Sequence, residues 1–150
     1  MDLSNYEDVL KRHLNLHDLT LSPDQSTIID YDSGLTIHVE VSETTEDIYL
    51  YSNFGKFHYA EKEKVYHELL MANYFTHETL GATFSISPTN GNIVLSRTLV
   101  IRDTNLNRFL EIFDEFAKSA SYWQKEFITF TQKSPGQQIM GVAKEGAVYA

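Results

Sequence analysis

The chain has 150 residues, the length of one domain, and its 42% hydrophobic and 22% charged residues exclude a disordered or low-complexity protein. It has no cysteine, which removes disulfide frameworks, thiolate catalysis and thiolate metal sites and fits a reducing compartment. The net charge of -9 is concentrated: residues 1–60 hold Lys11, Arg12 and Lys56 against eleven carboxylates, a field that repels nucleic acid and anionic lipid and steers a basic partner toward this part of the chain.

Asp2 or Ser4 can cap a first helix whose apolar positions Tyr6, Val9, Leu10, His13 and Leu14 recur every three or four residues. Thr27–Tyr31, Leu35–Val41 and Ile48–Tyr51 then alternate with period two, separated by a turn at Asp32-Ser33-Gly34 and an acidic turn over Glu43–Asp47. A three-stranded meander is expected. From Glu61 to about Thr76 the spacing is helical again, with Val65, Leu69, Ala72 and Phe75 on one face. Ala82–Ser87 and Ile93–Ser96 flank Asn90-Gly91, a dipeptide suited to a tight hairpin turn. A last helix, capped by Asp103 or Thr104, carries Leu106, Phe109, Leu110, Phe113, Phe116, Ala117, Ala120, Trp123 and Phe127 toward a sheet.

The order α-β-β-β-α-β-β-α implies an α+β sandwich: one twisted, antiparallel five-stranded sheet with helices packed on it. Residues 1–130 form the domain, and 131–150, with Pro135, three glycines and no repeating apolar face, read as a flexible C-terminal tail. The N-terminus has no basic and apolar leader and no run of about 18 apolar residues occurs, so a soluble, cytoplasmic protein is expected.

Chemistry is sparse. His13 and His17 are four apart but lack the surrounding His-Glu-x-x-His pattern, and His67-Glu68 is followed by Met71 where a second histidine would stand. Asp30, Asp32 and Gly34 do not continue into a calcium loop, because Val41 holds the place of the final glutamate. There is no nucleophile elbow, phosphate loop or dinucleotide fingerprint. No enzyme, no metal and no cofactor are expected.

Three segments carry a family likeness: Leu69-Leu70-Met71-Ala72-Asn73-Tyr74-Phe75, then Gly81-Ala82-Thr83-Phe84-Ser85-Ile86-Ser87-Pro88, then Gly91-Asn92-Ile93-Val94-Leu95-Ser96-Arg97. With a final helix ending in Tyr122-Trp123, roughly residues 3–130 resemble the class I type III secretion chaperones, the Tir-chaperone (CesT-like) family. The resemblance implies a cytoplasmic bacterial homodimer that holds the N-terminal segment of a secreted effector in extended form, soluble and export-competent without ATP. A regulatory relative would instead sequester an anti-activator, a secretion regulator that couples export to transcription. A small-ligand binding domain is the remaining rival.

On this reading Leu10, Leu14, Ile28, Ile37, Val39, Val41 and Leu50 line the effector groove, although each would serve equally as core. Tyr66, Leu70, Tyr74, Phe84 and Ile86 are the candidates for the dimer interface, since they exceed what one face of the second helix and the hairpin requires. The loop Asn53-Phe54-Gly55-Lys56-Phe57-His58 departs from the family pattern in being aromatic and basic.

Overall fold

A computed structural model describes residues 12–13, 20–21, 26–32, 34–42, 44–57 and 61–132 of the chain. The five expected strands are β2 (Ser26–Asp32), β3 (Leu35–Ser42), β4 (Asp47–Gly55), β5 (Thr83–Ile86) and β6 (Ile93–Val100). A two-residue strand, β1 (Thr20–Leu21), adds to the edge of β2, where a connecting stretch was expected. All neighbours are antiparallel, in the order β1-β2-β3-β4-β6-β5. The later hairpin therefore inserts its second strand beside β4 and leaves β5 at the edge.

Two helices are described in full: α1 (Lys62–Ala72) and the 27-residue α2 (Leu106–Gln132). At 1.5 Å per residue α2 spans about 40 Å. Of the first predicted helix only Arg12 and His13 are described, both helical, and His13 Nε2 lies 2.8 Å from Asp114 of α2. Leu10 and Leu14 lie outside the described residues, as do Ser33, Glu43, His58 and the tail from 133 onward.

Alternation makes the sheet two-faced. Ile29, Leu35, Ile37, Val39, Val41, Ile48, Leu50, Ile93, Leu95 and Leu99 point inward and are buried in one cluster with Phe109, Ile112, Phe113, Phe116, Ala117 and Ala120 of α2. The expected α2 stripe is present, with Leu106 and Leu110 at its half-buried border and Ile112 added. Ser52 also points inward, where its hydroxyl donates to the Thr36 carbonyl at 2.8 Å, so this polar group is buried with a partner.

Local chemistry sets the ends. Asn105, rather than Asp103 or Thr104, caps α2: its Oδ1 accepts the Arg108 N–H at 2.9 Å. Thr104 is occupied elsewhere, donating to the Val100 carbonyl at 2.8 Å. The hairpin on Asn90-Gly91 is longer than a two-residue turn. Ser87 and Asn92 close it through a 2.8 Å bond, Gly91 alone takes a positive φ of 76°, and Asn90 uses its side chain to accept the Asn92 N–H. The first part of the segment expected as an aromatic, basic loop, Asn53–Gly55, is instead the end of β4, bulged between Asn53 and Gly55. Phe54 and Phe57 turn into the fold, each 4.9 Å from the Phe127 ring.

Arg97 ties hairpin to helix. It stands on the inner side of β6, only 15% of its side chain exposed, and its Nη1 donates to Glu115 Oε2 of α2 at 2.7 Å and to the Leu80 carbonyl at 2.8 Å. The guanidinium lies against Gly81, whose φ is +85° and where an added Cβ would come within 2.9 Å of Arg97 Cζ. Glycine is thus required both for its backbone angle and for the space. Gly81→Ala is expected to lose about 1–3 kcal/mol of stability in urea unfolding, combining the left-handed penalty with displacement of Arg97 from Glu115.

Candidate functional site

Among the described residues, two surfaces stand out once the inner face of the sheet is closed. One lies at the end of α1 and the edge of β5, the other on the outer face of β2, β3 and β4.

The helical stripe of α1 buries Val65, Leu69 and Ala72 as expected, but the helix stops at Ala72. A 3-10 turn over Tyr74–Thr76 follows, with Phe75 at φ 51° and Thr76 at φ 54°, a left-handed region that bulky and β-branched side chains occupy only at a cost of about 1–2 kcal/mol each. The reversal swings Phe75 out of the buried face on which the periodicity placed it. Phe75 is 71% exposed and packs on Tyr74, ring centroids 4.3 Å apart. Leu70 and Tyr74 are 70% and 69% exposed, and Ile86 on β5 is 48% exposed. Three of the five dimer candidates, Leu70, Tyr74 and Ile86, are therefore at the surface. Tyr66 is half-buried against the core, and Phe84 is in it, in T-shaped contact with Trp123 at 5.0 Å.

Asn73, the last residue of the leucine-rich motif, has a specific task. Its Nδ2 donates to the Phe84 carbonyl at 3.0 Å, and its Oδ1 accepts the Phe84 N–H at 2.7 Å. The carboxamide pairs with β5 as a neighbouring strand would. Thr79 does the same for Ala82, accepting its N–H through the backbone at 3.1 Å and donating a hydroxyl to its carbonyl at 2.6 Å. The main-chain groups of Ala82 and Phe84 that face the free edge are thus occupied, and by the alternation of the ladder those of Ile86 are the next to face it.

On the outer face, cross-strand pairing aligns Ile28, His38, Tyr51 and Ser96 in one row and Glu40, Tyr49 and Thr98 in the next. His38 stacks flat on Tyr51, with centroids 4.6 Å apart and planes 5° from parallel. Partial burial pushes the His38 imidazole below its ordinary pKa, outweighing the nearby Glu40 carboxylate, which raises it. Ile28 is 43% exposed here. The other groove candidates fall differently: Ile37, Val39 and Leu50 have no exposed surface and Val41 is nearly covered, all beneath α2. Their periodicity is that of core because α2 occupies the face they share. Contact with an extended partner would first require that helix to lift.

Asn73, Phe75 and the His38–Tyr51 stack escaped sequence reasoning. The first two depend on where α1 ends, and the third on a strand register that alternation alone does not supply. Among the described residues no group of three or more His, Asp or Glu could hold a metal ion, and no described helix is long and apolar enough to cross a membrane.

Among the described residues, a sheet is covered on one side chiefly by one long helix while apolar and aromatic side chains stand in solvent, an α+β architecture. The family model for the Tir chaperone protein (CesT) family matches residues 8–124, and the chain belongs to that family, the type III secretion chaperones. Its fold is similar to a chain of the ExsC–ExsE complex (TM-score 0.63, 16% identity, covering 83% of this chain and 96% of that one). A chain of the HopA1–SchA chaperone–effector complex is also similar (TM-score 0.62, 12% identity, 83% and 98% covered). So is one from the complex of the Yersinia pestis type III secretion chaperone SycH with a stable fragment of YscM2 (TM-score 0.58, 13% identity, 79% and 97% covered). Compared directly by sequence, no curated protein matches.

Two outcomes are expected. Asn73→Ala strands the Phe84 N–H and carbonyl at the strand edge and should cost about 2–3 kcal/mol in urea unfolding, with Asn73→Asp, which can still accept the N–H, falling between. For His38, the folded-state pKa lies below the unfolded value of about 6.5, so its share of stability is complete above that pH and is lost as pH falls through the folded value. An NMR titration of the imidazole should give a midpoint below 6.5, lower again in Glu40→Gln, which removes the charge that raises it.

Proposed function

We propose that this protein is a homodimeric chaperone that keeps the N-terminal segment of a secreted effector extended, soluble and ready for export, without ATP. Membership of the CesT family carries the reading. It is supported by the exposed Leu70, Tyr74, Phe75 and Ile86, which no described element of the same chain covers enough to bury. Exposed side chains of this size, at the end of a helix held in a strained turn, suit a surface completed by a second molecule.

A second copy is the occupant of that surface, with Leu70, Tyr74 and Ile86 meeting their counterparts and Tyr66 at the margin. The effector segment runs over the N-terminal part of each protomer, past Leu10, Leu14 and Ile28, while Ile37, Val39, Val41 and Leu50 support the sheet from within. An extended segment gains main-chain hydrogen bonds or apolar contacts without folding on its own, which is why no nucleotide is needed to release it from a stable structure.

The test joins sedimentation with capture. Wild-type protein should sediment as a dimer at micromolar concentration, and Leu70→Glu with Tyr74→Glu should sediment as a monomer with unchanged circular dichroism. Tagged protein drawn from its native cell should retain a secreted protein whose protease-protected fragment lies in its N-terminal region. Recovery of only a cytosolic regulator would replace the effector by an anti-activator. A monomeric wild type retaining no protein would overturn the proposal.

A further inference from the structure

Among the described residues, no helix packs on the outer face of β2–β4. Its residues lie outside the buried cluster, and His13 bonds Asp114 of α2, on the other side of the sheet. The surface is nevertheless not an ordinary polar one. A flat His38–Tyr51 stack occupies its centre, Ile28 stands beside it across β2, and Tyr49 stands in the adjoining row.

Its charge is of one sign. From residue 13 to residue 55 the sequence contains no lysine or arginine, so this face carries only carboxylates: Asp30 on β2, Glu40 on β3 and Asp47 on β4. Two of these are held by neutral neighbours, Asp47 by the Tyr49 hydroxyl at 3.2 Å and Asp30 by Thr36 at 3.4 Å, and neither bond removes the negative charge. His38 adds no compensating cation at neutral pH, because burial favours its uncharged form. Aromatic faces and carboxylates together are the complement of a lysine or arginine side chain, whose stem lies on the rings while its head reaches the acid.

Taking the partner from the chaperone reading, we infer that this face docks a basic segment of the secreted protein, with lysine or arginine interleaved with apolar residues. The cationic side chains cross the His38–Tyr51 stack toward Glu40 and Asp30, and an apolar side chain packs on Ile28. This deepens the proposed function by naming the chemistry of the segment. It also accounts for acidity that solubility alone would distribute evenly over the chain.

The experiment uses two labelled peptides of alternating sequence, valine–lysine and valine–glutamate, titrated against the full-length protein by fluorescence anisotropy at physiological salt. The lysine peptide should bind and the glutamate peptide should not. Glu40→Lys and Tyr51→Ser should each weaken binding about tenfold, Tyr51→Phe should preserve it, and Glu111→Lys, the same charge change on the exposed side of α2, should alter it less than twofold. Equal losses in Glu40→Lys and Glu111→Lys would mean diffuse attraction to net charge and overturn the inference, as would absence of binding to the wild type. The chaperone reading is scored separately by capture from the cell. A wild type that retains its secreted protein as firmly as Glu40→Lys and Tyr51→Ser do would sink this inference alone, whereas failure of capture with normal peptide discrimination would sink that reading alone.

Discussion

Everything in this fold depends on one helix covering one face of a sheet. Phe109, Phe113 and Phe116 lie fully buried with Ile37, Val39, Ile48, Leu50, Ile93 and Leu95, and Ala117 and Ala120, also without exposed surface, let the α2 backbone approach closely. Each large side chain so buried contributes on the order of 1.5–3 kcal/mol of transfer free energy. Among the described residues α2 supplies most of the opposing surface, with Val65, Leu69 and Ala72 of α1 in the same cluster. The outer face, the strand edges and the end of α1 then remain, among the described residues, open to a partner.

Those remaining surfaces differ in how they are protected. The β5 edge is guarded by two polar side chains, Asn73 and Thr79, which occupy main-chain groups that would otherwise recruit a foreign strand. Immediately beside this guarded edge stand Leu70, Tyr74 and Phe75, exposed to 69–71%. Apolar attraction is therefore retained while unspecific strand pairing is suppressed, a combination suited to association with one defined surface. Among the described residues, the opposite edge is formed by the two-residue β1.

Much of this was legible in the residues. Alternation over Leu35–Val41 and the three-and-four spacing from Leu106 to Phe127 report burial directly, so the strands, the long helix and the core follow from them. What alternation cannot say is which of two apolar partners covers a face. Ile37 and Val39 look the same beneath a helix as beneath a bound peptide, and α2 takes them. Helix ends were harder, because they are decided by single hydrogen bonds: Asn105 outcompetes Asp103 and Thr104 as a cap, and the left-handed Phe75 reverses an exposure that periodicity had assigned. Asn73 stood within a recognised motif, but its role needs a strand eleven residues away. The family likeness pointed to these positions without their mechanism, since Gly81 and Arg97 belong to different segments and meet only in the folded hairpin.

The insertion of β6 between β4 and β5 has a bearing on how the chain is made. The β4–β6 ladder runs from Asp47 paired with Val100 to Gly55 paired with Ile93, joining distant parts of the chain, whereas β2–β3 and β3–β4 pair strands that follow each other in sequence. During synthesis the meander can form first, leaving the β4 edge unpaired until the distant strand has left the ribosome. At about 5–20 residues per second that interval lasts seconds, long compared with the microseconds in which hairpins form. A member of this chaperone family thus passes through an interval in which the edge of its own β4 is open, and Asn53 and Gly55, which bulge the end of that strand, are placed where they would blunt it.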